Sequence, residues 1–255
     1  MPSGRLEGRV VVVTGAASGQ GAAEVAALAA EGAEVIAADV SAVAAAERVD
    51  PLHLDVSDPT GWSALAVHAR ERYGRVDGLI NNAGVTSRVR VGEVELEEWN
   101  RVFAVNVTGA LLGIQALLPL MGPGSSIVNV GSLAALTGHY TAPYTASKWA
   151  LRGLTQAAAM ELGQRGIRVN AVHPGYIETP MTASAPAAFL DANVELTPLG
   201  RPGQAEEVAA LMVFLISGES SFINGAEIPI DGGQALGGGP KFLSDAVRAS
   251  VELAG

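Results

Sequence analysis

Cysteine is absent from the 255-residue sequence, which excludes disulfides, a thiolate nucleophile and a thiolate metal site. Histidine is scarce: His53, His68, His139 and His173 never fall at metal-ligand spacing, so no metal is expected. Basic charge is short as well. Sixteen Lys and Arg stand against 26 Asp and Glu, giving a net charge of −10 with no basic cluster, which argues against nucleic acid or an anionic membrane as a partner. Met1-Pro2-Ser3-Gly4-Arg5 lacks the apolar run of a signal peptide, so a cytoplasmic location is expected. No apolar run reaches the ~20 residues that a bilayer core requires. The nearest candidate, 103–118, is interrupted by Asn106, Thr108, Gly109 and Gln115 and closed by Pro119. What remains, 49% hydrophobic and 16% charged, suits one large core and a single domain over 1–255.

What is present is unevenly spread. From Val102 to Ser147 the chain runs 46 residues without an Asp, Glu, Lys or Arg, so this stretch is expected to be mostly buried. Within it, 103–118 has helical length and is apolar nearly all round, the pattern of a helix covered on more than one side. A subunit interface is the expected cover. Lysine is also uneven: of the sixteen basic residues only Lys148 and Lys241 are lysines. A compact ammonium can sit in a confined site and tune a neighbour's ionisation where a guanidinium cannot. Lys148, ending the chargeless stretch, is therefore a candidate catalytic group; a chance surface lysine is the plain alternative.

Strand-like runs at 9–14, 33–39, 51–55, 76–81, 126–131, 167–173 and 225–230 alternate with helical patterns at 19–31, 59–73, 96–118, 143–164 and 204–217. This alternation predicts an α/β fold: a doubly wound parallel sheet (Rossmann fold) of seven strands with helices on both faces. Ligands of such sheets sit beyond the carboxyl ends of the strands, at the topological switch point.

The residues at those ends carry chemistry. The first strand opens onto Thr14-Gly15-Ala16-Ala17-Ser18-Gly19-Gln20-Gly21, a glycine turn that lets backbone and a helix N-terminus approach a pyrophosphate. Its spacing departs from Gly-x-Gly-x-x-Gly, and a purely structural turn is the alternative. Asp39 closes the second strand where a carboxylate accepts from the adenosine ribose hydroxyls and repels a 2′-phosphate. No Arg or Lys lies between Arg9 and Arg48, so NAD(H) is expected over NADP(H). Tyr144 and Lys148 stand four residues apart in a helix that Pro143 can open, on one face. An ammonium beside a phenol favours the phenolate, making a general acid/base for a carbonyl or alcohol. Ser132, at the end of the fifth strand, can present its hydroxyl to the same oxygen.

Together these residues resemble the short-chain dehydrogenase/reductase family over roughly 5–235. The glycine motif corresponds to Gly15, Gly19 and Gly21, with Ser18 and Gln20 inside it. Asn81-Asn82-Ala83-Gly84 matches the motif after the fourth strand, and Val105-Asn106-Val107-Thr108-Gly109 carries the family's helix Asn. Ser132, Tyr144 and Lys148 fall on the catalytic positions, Asp55-Val56 where the family contacts adenine, and Pro174-Gly175 with Ile177 and Thr179 on the segment lining the nicotinamide. Ile228-Pro229-Ile230-Asp231-Gly232-Gly233 resembles the closing strand. Two residues depart from the pattern: Gly131 stands where a Ser often precedes the catalytic Ser, and Trp149 follows the Lys where a small residue is usual. Within the family the chain is most similar to bacterial hydroxysteroid dehydrogenases of the 3α/20β type.

The resemblance implies hydride transfer between a nicotinamide and a secondary alcohol or ketone. Tyr144 would exchange the hydroxyl proton, Ser132 hold the substrate oxygen, Lys148 hold the nicotinamide ribose and depress the Tyr144 pKa, and Asn106 fix a relay water. The segment 177–200 would cover the substrate. It has no Lys or Arg, so an uncharged, bulky substrate such as a steroid or cyclic ketone is expected, with His139, Met181 and Phe189 as further contacts. A homotetramer is expected. The extension 236–255, after the Gly237-Gly238-Gly239 hinge, can form a helix with an apolar stripe of Phe242, Leu243, Ala246, Val247, Ser250 and Val251 that docks beside the entrance, or can be a frayed tail. Two other readings stay open. A reductase of carrier-bound 3-oxoacyl thioesters would want an NADP-type second strand, against Asp39, and a catalytically silent binding protein would have lost Ser132, Tyr144 or Lys148.

Overall fold

Four consecutive valines make β1 (Val10–Thr14) wholly buried, because alternate side chains enter two different cores. Val10 and Val12 pack with Trp62, Leu65, Ile114 and Leu162 on one face of the sheet; Val11 and Val13 pack with Leu28, Met212 and Ile216 on the other. The computed structural model of the chain describes residues 4–183 and 185–252, with the side chains of Met181 and of 249–252 outside that description. The remaining strands are β2 (Glu34–Asp39), β3 (Val49–His53), β4 (Gly78–Asn81), β5 (Ser126–Val130), β6 (Arg168–Pro174) and β7 (Glu227–Ile230). All pair in parallel, in the order β3-β2-β1-β4-β5-β6-β7. One face carries α1 (Gly19–Ala30) and α8 (Ala205–Ile216); the other carries α2 (Pro59–Tyr73), α4 (Gly109–Leu117) and α5 (Ala142–Leu162). The seven-stranded, doubly covered sheet is the one expected.

Local chemistry sets the ends. Asp58 caps α2 by accepting from the Thr60 and Gly61 amides at 2.9 and 3.3 Å, and Gly74 stops it at φ 73°. β3 sits two residues earlier than the expected 51–55, because the Asp55 carboxylate accepts from the Ser57 amide and hydroxyl and turns the chain there. Pro51 is tolerated because β3 is an edge strand.

Three stretches differ from expectation. The continuous helix 96–118 is instead α3 (Leu96–Phe103), a π-helical turn (Ala104–Thr108) and α4. The span Leu96–Leu120 is long and apolar enough to cross a membrane, but α4 turns Gly109, Ala110, Gly113, Ile114 and Leu117 inward against the core. Gly113 has no room for a Cβ beside the Trp62 ring, 2.7 Å away, and Gly109 none beside Val56. The segment 177–200, expected to cover a substrate, contains two helices, α6 (Pro180–Ala183) and α7 (Ala187–Leu196). The tail helix, α9 (Gln234–Glu252), begins before the glycine hinge, of which only Gly237 leaves helical geometry. It packs on α7, where Gln234 donates to Asn193 and Lys241 to the Glu195 carbonyl at 3.1 and 3.0 Å. Phe242, Leu243 and Val247 of its stripe are exposed, while Ser250 and Val251 lie outside the described side chains.

One buried charge-bearing group stands out in α1. Glu24 shares the inner face with Gly21, Val25 and Leu28, and neither carboxylate oxygen has a partner among the described residues. Burial pushes its carboxyl up to about 8. The folded chain therefore holds a proton that the unfolded chain has released, and stability falls as pH rises from about 4.5 towards 8. Glu24→Leu is expected to stabilise by about 2 kcal/mol or more at pH 8, roughly 4–8 °C in Tm, with a smaller gain at pH 5. Calorimetry at both pH values checks this; an equal gain at both would mean that the carboxyl does not titrate in this range.

Candidate active site

The carboxyl ends of β1, β2, β4, β5 and β6 open on a solvent-facing cleft of about 250 Å³. It lies over the β1–β4 junction, where the chain's order across the sheet reverses. Gly15, Ser18, Gly19 and Gln20 line one end with Asp39; Asn82, Ala83 and Gly84 line the floor; Ser132, Tyr144 and Lys148 line the far wall; Pro174, Gly175, Ile177 and Thr179 close the side.

The glycine turn is built by close approach. Gly15 sits at φ 68°, and a Cβ there would lie 2.9 Å from the Ala83 Cα; a Cβ on Gly21 would collide with the Gly15 carbonyl oxygen. The Asn82 side-chain amide holds this geometry by donating to the Thr14 and Gly15 carbonyls at 2.9 and 3.2 Å. Ser18 is the N-cap of α1 in extended conformation, and its side chain makes no cap bond. The first amides of α1 thus face the cleft end bordered by Ser18, Gly19 and Gln20, an arrangement suited to an anionic group.

Asp39 has two backbone partners already. Its carboxylate accepts from the Ala17 amide at 3.0 Å and the Ser41 amide at 2.8 Å, so it braces the glycine turn as well as facing the cleft. The nearest basic side chains in sequence point elsewhere: Arg48 pairs with Glu7 and Glu34.

At the far wall Lys148 is 4% exposed and donates to the Val130 carbonyl at 2.7 Å. No carboxylate pairs with it among the described residues. Burial lowers its ammonium to about 8. The Ser132 side chain and the Tyr144 ring face the same part of the cleft, and Lys148 Nζ stands 5.7 Å from the Tyr144 ring centre. Here the structure differs from the expected depression of the phenol. Burial raises the Tyr144 pKa and only the neighbouring Ser132 hydroxyl opposes it, while the ammonium is bonded to the Val130 carbonyl. Asn106, in the π turn, is buried behind this wall. It accepts from the Val85 amide at 2.8 Å and donates to the Val85 carbonyl and Ser147 hydroxyl, both at 3.0 Å, tying three segments together. A π turn is a frequent device for aiming one side chain at a site.

Several sequence candidates are not cleft walls. Gly21 lies under the turn, Asp55 is occupied with Ser57, and Val56 is buried, packing near Gly109 while its carbonyl accepts from Trp62. His139 is exposed and bonded to Thr141 at 2.9 Å, Phe189 is largely exposed on α7, and the Met181 side chain lies outside the described residues. Conversely, Val130, Gly131, Pro180 and Thr182 line the cleft without having been singled out as contacts. Thr182 donates to the Ile177 carbonyl at 2.7 Å and accepts from the Thr179 amide at 2.9 Å, a local Thr-Pro-x-Thr pattern that the sequence displays.

Known proteins share this architecture. A family model described as enoyl-(acyl carrier protein) reductase matches residues 15–235. The chain is 41% identical over 253 residues to trans-4-hydroxycyclohexanecarboxylate dehydrogenase of Sinomonas cyclohexanicum, covering 92% of this chain and 96% of that one. It is 43% identical over 245 residues to 3-alpha-(or 20-beta)-hydroxysteroid dehydrogenase of Mycobacterium tuberculosis, covering 92% of each. A solved short-chain dehydrogenase/reductase from Brucella melitensis superimposes with a TM-score of 0.85 at 34% identity, covering 91% of this chain and 98% of that chain.

The packing at Gly21 yields a direct test. Gly21→Ala must push the Gly15 carbonyl away, so NADH affinity by fluorescence titration is expected to fall by roughly tenfold or more, with a modest loss of Tm. Unchanged affinity would show that the turn does not hold the dinucleotide.

Proposed function

The chain belongs to the short-chain dehydrogenase/reductase family and is an oxidoreductase of alcohols and ketones that uses a nicotinamide cofactor; from that premise we propose that Tyr144, Ser132 and Lys148 carry the reaction, with NAD(H) as the cofactor. The observation that carries this reading is the convergence of Tyr144, Ser132 and a buried ammonium, without a carboxylate partner among the described residues, at one end of a glycine-cradled cleft.

The donors and acceptors fit a dinucleotide. Gly15 and Gly21 leave no room for a side chain, the start of α1 offers amides to a pyrophosphate, and Asp39 offers a carboxylate to ribose hydroxyls. Lys148 is the only cation among the described cleft-lining residues, so nothing there balances a 2′-phosphate. When bound, the nicotinamide supplies the hydride acceptor or donor. Ser132 holds the substrate oxygen and Tyr144 exchanges its proton. The phenol, kept protonated by burial, has a proton to give to a carbonyl oxygen; in the reverse direction the Ser132 hydroxyl is the neighbour that favours the phenolate, and Lys148, charged below about pH 8, is the cation lining the cleft. Asn106 keeps the π turn, Val85 and α5 in register beneath them.

The substrate we assign is an uncharged cyclic secondary alcohol or its ketone: the relatives are named for ring substrates, one of them a carboxylate, and the absence of Lys and Arg from 177–200 supports an uncharged ring here. The protein would work in the cytoplasm as a homotetramer, with Leu111, Trp149 and Met160 exposed on the outer faces of α4 and α5 as candidate contacts.

Tyr144→Phe is expected to lower kcat by ~10²–10⁴-fold while NADH still binds; substantial turnover would refute the assignment. Asp39→Ala should shift the kcat/KM ratio towards NADP(H) and also destabilise the fold by about 1–2 kcal/mol, since two amides lose their acceptor. A parent that already favours NADPH would refute that role. In an absorbance assay with NAD⁺, cyclohexanol and a hydroxysteroid are expected to exceed 4-hydroxycyclohexanecarboxylate in kcat/KM; the reverse order would assign an anionic substrate.

A further inference from the structure

The two departures from the family pattern, Gly131 before Ser132 and Trp149 after Lys148, flank the buried His173 from two sides: Gly131 at the cleft and the exposed Trp149 over Arg152. His173, near the end of β6, has no exposed surface. Its ring fills the room that a side chain at 131 would need: a Cβ on Gly131 would overlap Nδ1 and lie 2.7 Å from Cε1. From there Nδ1 reaches the main chain of Ser132, 3.2 Å from the carbonyl oxygen and 3.4 Å from the amide nitrogen. Nε2 has no partner among the described residues. A buried N–H without an acceptor is rarer and costlier than a buried lone pair without a donor. The proton therefore belongs on Nδ1, which donates to the Ser132 carbonyl. Burial keeps the ring neutral, and the charged groups facing it are Arg152 and Lys148 of α5 and Glu227 of β7. Arg152 and Glu227 form an ion pair. Arg152 also donates to the Ala135 carbonyl at 2.6 Å, and Trp149 covers its guanidinium at 4.5 Å.

We propose that His173 is a positioning residue for the reaction: seated in the room left by Gly131, near the Arg152–Glu227 pair, it fixes the main chain of Ser132 and thereby the hydroxyl that faces Tyr144. This rests on the assignment of Ser132 and Tyr144 above. The Ser132 hydroxyl already accepts from the Ala134 amide at 3.1 Å. A small rotation of the 131–132 peptide would break that bond and turn the hydroxyl away from Tyr144. His173 is not a cleft wall, so its loss should leave dinucleotide binding alone.

The test is the pH dependence of cyclohexanol oxidation with NAD⁺, measured with NADH affinity by fluorescence. His173→Leu retains bulk without a donor. It is expected to lower kcat by roughly 10- to 100-fold, leave NADH affinity unchanged, and move the limb assigned to Tyr144 to higher pH, because the Ser132 hydroxyl that favours the phenolate is no longer held in place. His173→Asn places an amide N–H near the Nδ1 position and is expected to restore the parental limb and most of kcat. Gly131→Ala evicts the ring without altering it and should reproduce the leucine phenotype. A leucine variant with parental kcat, or equal losses in the leucine and asparagine variants with an unmoved limb, overturns the proposal. Should His173→Leu not fold, Gly131→Ala decides alone, an unmoved limb being the contrary result. Tyr144→Phe is assayed alongside: an active variant defeats the assignment of Tyr144 itself, whereas an inactive one with an unmoved His173→Leu limb defeats only the role of His173.

Discussion

A buried ammonium held by one carbonyl governs this molecule. Lys148 sits at the heart of the sheet's carboxyl edge and donates to Val130, with no carboxylate paired to it among the described residues. A carboxylate within a few ångströms would pair with the charge and hold it away from the cleft. The 46 chargeless residues before Lys148 thus have a physical reason. They supply β5, α4 and the π turn, the elements around the lysine, and any acidic side chain among them would compete for it. The fold spends its apolar content to keep one cation labile.

The second constraint is close backbone approach. At Gly15, Gly21, Gly109, Gly113 and Gly131 an added Cβ would meet a carbonyl oxygen, a neighbouring backbone or a ring at less than contact distance. These glycines bring helix to strand, ring to helix and imidazole to serine. Gly131 and His173 show how a change at one position is completed by a residue far along the chain: the space released at the serine's neighbour is occupied by a ring that returns a hydrogen bond to the serine's backbone.

Much of this was legible in the sequence because the signals are local. The β1 valines, the glycine turn, Asp39 at a strand end and the i, i+4 pair of Tyr144 and Lys148 each lie within one element or one turn, and the structure sets them around one cleft. Other features depend on partners distant in sequence. Asn106 in a π turn binds Val85 and Ser147, and His173 reaches Ser132 across 41 residues; neither bond is written in a spacing. The chargeless helix invited an interface as its cover, yet its inner face is filled by this chain's own Trp62 and sheet, leaving only the side with Leu111 exposed. Asp39 reads as a ribose ligand from its position alone, and its support of the Ala17 and Ser41 amides needed coordinates.

Lys148 and Lys241 are the only lysines, so lysine-selective isotope labelling gives two side-chain NMR signals, and Lys148→Arg identifies the first by its loss. A pH titration of the ligand-free protein then reads the ammonium directly. The account predicts that the Lys148 signal titrates near 8, displaced by burial. Titration in the ordinary lysine range, about 10.4, would contradict the claim that an unpaired, desolvated ammonium organises this site.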